Sequence, residues 1–241
     1  MTEDRKGKAT WLSEADDSRF SEIKESKHDI VFPWLVDAIL TREPSVVLDY
    51  GAGDGRFLSS LREKFDGEIW HYDPSETLRE IAKERLAGQR AHFLDDPQAA
   101  PAESVDVVAS TAVWMTIETH EGCVDYLNAQ FRLLKPKGRA FIVVTHPCFR
   151  EEKYSTFDAN FDDGFYLNDG VEFSVSVFDE RNEVKFSDYH WTLSAMLKQA
   201  SEAGLRLIAL AELPDVDTGN KRGAPWLVFE FGKDRSTRAT V

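Results

Sequence analysis

A short apolar run, Ser45-Val46-Val47-Leu48-Asp49, passes through Tyr50 into the glycine-rich stretch Gly51-Ala52-Gly53-Asp54-Gly55. Arg56 to Phe65 then takes up helical spacing through Phe57, Leu58, Leu61 and Phe65. The β-branched run reads as a strand buried on both faces, as parallel strands are. A strand that enters glycines and then a helix leaves few folds open. Glycine permits a tight backbone turn and close approach of a ligand. The helix behind it presents unpaired N–H groups that favour anionic ligand groups. Glu68-Ile69-Trp70-His71-Tyr72 predicts a second strand with Asp73 at its end, 18 residues after Gly55. An acid at that place can accept both hydroxyls of a ribose, so the pair of features points to a nucleoside-containing cofactor.

The same alternation runs on. Ser75 is a helix cap for Glu76 to Leu86, with Gly88 as the stop. Ala91 to Leu94, Val105 to Ala109 and Arg139 to Thr145 predict three further strands. A helix is expected over Val124 to Leu134, ended by Lys135-Pro136-Lys137-Gly138. Another is expected from Leu193 to Ala203, and the strands Leu205 to Leu213 and Trp226 to Phe231 close the chain. Val171, Phe173, Val175 and Val177 alternate with polar residues ahead of a turn at Glu180-Arg181-Asn182, and Val184 to Phe186 answers them. That pattern predicts a β-hairpin inserted on the main sheet after the fifth strand. Before the first strand, Ile30, Val31, Trp34, Leu35, Ala38, Ile39 and Leu40 form one helical face, with Pro33 marking a start or kink. Residues 1 to about 18 read as a frayed polar tail in which only Trp11 has reason to dock. Strands and helices in alternation make an α/β fold, a doubly wound parallel sheet with ligands at the carboxyl ends of its strands. The expected organisation is an N-terminal helical lid segment over 1–44, a cofactor-binding core over 45–145, a substrate-side insertion over 146–190 and the rest of the core sheet over 191–241.

Spacing narrows the cofactor. The dinucleotide fingerprint needs its third glycine at position 56, and Arg56 stands there. The stretch Val47-Leu48-Asp49-Tyr50-Gly51-Ala52-Gly53-Asp54-Gly55 resembles instead the first motif of class I S-adenosylmethionine-dependent methyltransferases. Tyr72-Asp73-Pro74-Ser75, Leu94-Asp95-Asp96, Ser104-Val105-Asp106-Val107-Val108 and Leu133-Leu134-Lys135-Pro136-Lys137-Gly138-Arg139 are similar to further motifs of that family, in order. The resemblance covers residues 45 to 145 well and the last two strands loosely. It implies a Rossmann-like seven-stranded sheet whose last strand is antiparallel, and S-adenosyl-L-methionine as cofactor. It implies that Asp49 orients the loop, that Gly51 and Gly53 lie beneath the amino-acid part of the cofactor, that Asp73 holds the ribose hydroxyls and that Pro74 contacts adenine. Asp95, with Asp96 as the alternative, would accept from the adenine amino group. The activity implied is methyl transfer to an oxygen, nitrogen or carbon nucleophile of a small molecule. A sulfonium-cyclising enzyme and a non-catalytic cofactor-binding module are the other readings.

Methyl transfer needs alignment of donor and acceptor, and a hydroxyl or ammonium acceptor also needs a base. His146, directly after the fifth strand, and His190, after the hairpin, are the catalytic candidates. Each would serve as well in a plainer role, His146 in the turn before Pro147 and His190 at the surface of a helix start. Trp114 is placed to wall the acceptor pocket or to fill the core. Trp11, Phe20, Phe149, Tyr154, Phe165 and Tyr166 offer a lid and an electron-rich pocket for a sulfonium. No metal is expected: the histidines lack paired ligand spacing, and Asp158, Asn160 and Asp162 are followed by Asp163 where a calcium loop needs glycine.

Charge sets the remaining limits. Lys and Arg total 29 against 43 Asp and Glu, a net charge of −14, and no basic patch offsets it, so no nucleic-acid partner is expected. No apolar run approaches the ~20 residues that span a bilayer, so no membrane partner is expected either. The N-terminus lacks the apolar run of an export signal, and two cysteines are too few for a disulfide framework, which favours a cytoplasmic setting. The exposed hairpin offers an edge through which two copies can pair, so a homodimer is compatible with the sequence.

Overall fold

The computed structural model describes residues 14–161, 165–216 and 223–233. Three helices lead in: α1 (Glu14–Phe20), α2 (Ser26–Asp29) and α3 (Val31–Leu40). The core then alternates through β1 (Val46–Tyr50), α4 (Arg56–Arg62), β2 (Glu68–Tyr72), α5 (Glu76–Arg85), β3 (Ala91–Leu94), β4 (Val105–Thr111), α6 (His120–Leu133) and β5 (Leu134–Thr145). An insertion carries β6 (Phe157–Asn160), β7 (Val171–Phe178) and β8 (Glu183–His190). After it come α7 (Leu193–Glu202), β9 (Leu205–Leu213) and β10 (Trp226–Lys233).

Seven strands form one sheet in the order β3-β2-β1-β4-β5-β10-β9. The pairs β1/β2, β2/β3, β1/β4 and β4/β5 are parallel, and β10 runs antiparallel to both neighbours. Buried strands put successive side chains on opposite faces. In β1, Val47 joins the apolar cluster that holds α3 and α4, while Leu48 joins the cluster that holds α6. The chain leaves β1 for β2 on one side and returns through β4 on the other, so the crevice between β1 and β4 is the topological switch point.

Several elements differ from expectation. Residues 14–20 are helical where a frayed tail was expected; Asp17 of α1 is buried and receives a 2.5 Å hydrogen bond from the Ser75 hydroxyl. Trp11, Asp162 and Asp163 lie outside the described residues. Pro33 falls in the first turn of α3, where the N–H it lacks would have no helical partner. Helix α6 begins four residues before Val124 because Thr119 caps it, accepting from the Gly122 N–H at 3.1 Å. Strand β5 starts at Leu134, and a register jump between the pairs Val105–Leu134 and Val107–Arg139 absorbs the Lys-Pro-Lys-Gly turn. The inserted hairpin does not join the main sheet. It forms a separate three-stranded antiparallel sheet, β6-β7-β8, with β6 unforeseen and β8 extending through His190.

Candidate functional site

The glycine loop leaves β1 at the switch point and is held by β2. The N–H groups of Gly51 and Ala52 donate to the Tyr72 carbonyl at 2.8 and 2.9 Å. The Gly53 N–H donates to Asp73 Oδ2 at 2.7 Å, and its carbonyl accepts from His71 Nε2 at 2.9 Å. Gly51 has φ +80°, and a Cβ there would lie 2.3 Å from Val113 Cγ2, so the loop packs against the segment after β4 without room for a side chain. Gly53, at φ +52°, faces open space within 4 Å. That open cradle is what a ligand lying on the loop requires.

Asp73 ends β2, buried at 6% exposure. Its Oδ1 accepts from the Ser75 N–H at 2.9 Å, and Ser75 caps α5 by accepting from the Leu78 N–H at 3.2 Å. Burial pushes the Asp73 carboxyl up to about 6, against the opposing pull of the Ser75 and Gly53 N–H groups. Asp49, deeper in the sheet, is raised well above the usual carboxylate range, first by burial and then by the charges of Asp73 and Asp54.

A cavity of about 610 Å³ opens above this loop. Asp49, Gly51, Gly53, Asp73, Pro74 and Asp95 all line it. Asp96 does not; it is turned to its own loop, where its carboxylate accepts from the Gln98 N–H at 2.8 Å. The far wall comes from the N-terminal segment, through Phe20, Glu25, Lys27, His28 and Phe32. Of these the sequence singled out only Phe20. Glu25 and Lys27 form a buried ion pair at 2.6 Å, with the ammonium 4.9 Å from the centre of the Phe20 ring. His28 stays neutral: burial, then Lys27, Arg56, Arg85 and Lys24, hold its pKa down to about 2. No pattern in the sequence marks these residues, because the segment is placed by contacts with parts of the chain far away.

The two histidines singled out as bases stand elsewhere. His146 Nδ1 accepts from the Cys148 N–H at 3.2 Å and its Nε2 lies 2.9 Å from Glu212. His190 Nδ1 accepts from Arg150 at 3.1 Å and its Nε2 donates to the Tyr166 carbonyl at 2.9 Å. Burial lowers both pKa values. Neither ring lines the 610 Å³ cavity, and each nitrogen of both rings has a protein partner, so neither offers a lone pair to an acceptor there. Trp114 is fully buried in the core and donates to Gln199 at 3.0 Å. Phe149 and Tyr154 line a separate sliver beside the insertion, and Tyr166 lines neither space. The aromatic wall of the main cavity is made instead by Phe20, Phe32, Tyr50, Phe57 and Tyr72.

Residues 23–210 match the protein family described as a methyltransferase domain. Among curated proteins no sequence match is found. Among solved structures, the chain is similar to an S-adenosylmethionine-dependent methyltransferase from Clostridium acetobutylicum, at TM-score 0.64 and 12% identity over 90% of this chain and 95% of that one. It is similar to an amino pentose methyltransferase from Micromonospora echinaspora involved in calicheamicin biosynthesis, solved with S-adenosylmethionine bound, at TM-score 0.58 and 17% identity over 91% and 97%. It is also similar to 1,6-didemethyltoxoflavin-N1-methyltransferase from Burkholderia thailandensis, at TM-score 0.55 and 18% identity over 94% and 82%. At these identities the likeness is one of fold.

Proposed function

The chain belongs to the class I S-adenosylmethionine-dependent methyltransferases, with S-adenosyl-L-methionine as cofactor, and on that footing we propose that it methylates a small-molecule nucleophile. The observation that carries the reading is the single cavity in which the loop, Asp73 and the N-terminal wall meet. Its volume falls within the range of small-molecule pockets, roughly 300–1,000 Å³. Two structural neighbours are named for small-molecule acceptors, a toxoflavin precursor and an amino pentose, which supports the same class here.

The residues present fit the cofactor. Gly51 and Gly53 let the backbone come close, and the open space at Gly53 would receive the amino-acid part. Asp73 would accept from the ribose hydroxyls through the lone pairs its two backbone bonds leave over. Pro74 and Asp95, which line the cavity, would hold the adenine, and buried Asp49 would orient the loop. When bound, the cofactor supplies an electrophilic methyl group on a sulfonium. The protein's part is to align the acceptor along the line of displacement and to exclude water. Residues 14–44 act as the lid, with the wall from Phe20 to Phe32 on the acceptor side, and the 146–190 insertion braces that wall. Ser26 donates from its N–H to Thr156 Oγ1 at 2.9 Å, and Phe20 packs edge-on against Phe186. A solvent-derived or substrate-borne base serves the proton step in this reading, since the imidazoles of His146 and His190 are already engaged.

The test is a panel assay with methyl-labelled S-adenosylmethionine and small phenols, amines and carboxylic acids. Acceptor-dependent release of S-adenosylhomocysteine, with label in the acceptor, supports the reading. Cofactor consumption that ignores the acceptor would replace it with sulfonium cyclisation. Tight cofactor binding with no turnover across the panel would favour a non-catalytic module.

A further inference from the structure

We propose that Arg56 is a positioning residue that locks the acceptor-side wall of the cavity to the cofactor loop. The proposal rests on the assignment of the N-terminal segment to the acceptor side. Arg56 is the first residue of α4 and follows the glycine loop directly. Its Nε lies 3.0 Å from Asp54 Oδ2 of the loop. The same carboxylate oxygen is 2.7 Å from Arg85 of α5. On the other edge of the guanidinium, Nη1 donates to the Ile23 carbonyl at 2.7 Å and lies 3.4 Å from His28 Nδ1, and Nη2 donates to the Ser21 carbonyl.

One planar group therefore ties the loop to three points on a segment 28 to 35 positions away in sequence. Ser21 and Ile23 sit between α1 and α2, outside any helix, where carbonyls have no regular partner. Residues 21–28 are also tied outward to the insertion, from Lys24 N–H to Asp179 at 3.2 Å and from Ser26 N–H to Thr156. Arg56 ties them inward to the core, beside the bond from Ser75 to Asp17 of α1. Lysine cannot replace it, because a single ammonium cannot span two carbonyls and a carboxylate at once. The contact with His28 Nδ1 also sets a tautomer: the Arg donates, so the imidazole proton sits on Nε2 of a ring that lines the cavity. Burial first, and then four cations that include Arg56 itself, lower the pKa of this ring. The loop's ties to Tyr72, Asp73 and His71 do not pass through Arg56, and Asp54 keeps Arg85 when the guanidinium is gone. Removing the guanidinium loosens the wall and leaves the cofactor cradle in place.

Hydrogen exchange by mass spectrometry on the full-length protein, wild type against Arg56→Met and Arg56→Lys, tests this, with S-adenosylhomocysteine titrated calorimetrically into each. Loss of the two guanidinium bonds to the Ser21 and Ile23 carbonyls frees the segment and should speed exchange across 21–28 by about tenfold or more in Arg56→Met, with β1 and β2 nearly unchanged. Arg56→Lys should recover only a minor part of that protection. Affinity for S-adenosylhomocysteine should stay within about threefold of wild type, about 0.7 kcal/mol. The 15N signals of the His28 ring should lose their single Nε2–H tautomer in Arg56→Met. Unchanged exchange over 21–28 in Arg56→Met would overturn the proposal. So would acceleration spread evenly over β1, β2 and 21–28 in both variants, because Arg56 would then only hold the fold. Failure of wild type to bind S-adenosylhomocysteine would strike at the cofactor site and leave the exchange result standing on its own.

Discussion

Asp73 must be ionised to accept two hydroxyl protons, yet its burial brings its pKa up to about 6. The sign follows directly. Below that value the free protein carries a protonated Asp73, and binding must first remove the proton. Affinity for S-adenosylhomocysteine should therefore be level above pH 7 and weaken by roughly tenfold between pH 7 and pH 5. Calorimetry across that range checks it, and Asp73→Asn should bind weakly with no such dependence. A level wild-type profile would mean that Asp73 does not receive the ribose. The two loop glycines should part company in the same way. Gly51→Ala drives a methyl to 2.3 Å from Val113 in a left-handed backbone, which should cost roughly 2–4 kcal/mol of stability. Gly53→Ala meets open space and carries only the backbone strain, about 1–2 kcal/mol. Its folded form should instead lose cofactor affinity, because the new methyl enters the cradle. Thermal melts with and without S-adenosylhomocysteine separate the two effects.

At the scale of elements, α5 is held at its start by Ser75, which caps the helix and also donates to Asp17 of α1. Ser75→Ala should lose about 1–2 kcal/mol, the cost of a missing cap, and should loosen α1 over the site. Ser75→Thr keeps the hydroxyl and should restore most of it. A melting temperature for the Ala variant equal to wild type would show that the cap contributes nothing. The core elements were legible because their signals are local. Val46 to Asp49, the glycines and Glu68 to Tyr72 each announce a strand or a turn within a few residues. Helix α1 was not, because its partner lies far off, nor was strand β6, because Phe157 to Asn160 is only four residues long. Asp17 reaches Ser75 across 58 positions, and the segment containing Ser26 reaches Thr156 across 130.

For the whole molecule, the parallel strands and the switch between β1 and β4 put the cavity where the loop and Asp73 already pointed. No helix among the described residues is long and apolar enough to cross a membrane. A ligand at ~100 times its dissociation constant adds about 2.7 kcal/mol to stability. In a chain of this size that is a rise in melting temperature of roughly 5–10 °C. S-adenosylmethionine and S-adenosylhomocysteine should each produce such a rise and NAD should produce none, because Arg56 fills the place of the third dinucleotide glycine with a charged side chain tied to Ser21 and Ile23. A rise with NAD alone would overturn that account.

The sequence by itself determined the strand–loop–helix core, the order of its motifs, the cofactor they resemble and the acid that ends β2. Each of these depends on residues close together in the chain, so spacing alone expresses it. Only the tertiary structure decided which side chains of the N-terminal segment wall the cavity. It brought Glu25, Lys27 and His28 to the cavity, enclosed His190 between Arg150 and Tyr166, and set His146 against Glu212. The reason is physical. A histidine's chemistry is fixed by what its two nitrogens meet; Cys148 beside His146 is local, but the other three partners arrive from 24 to 66 positions away.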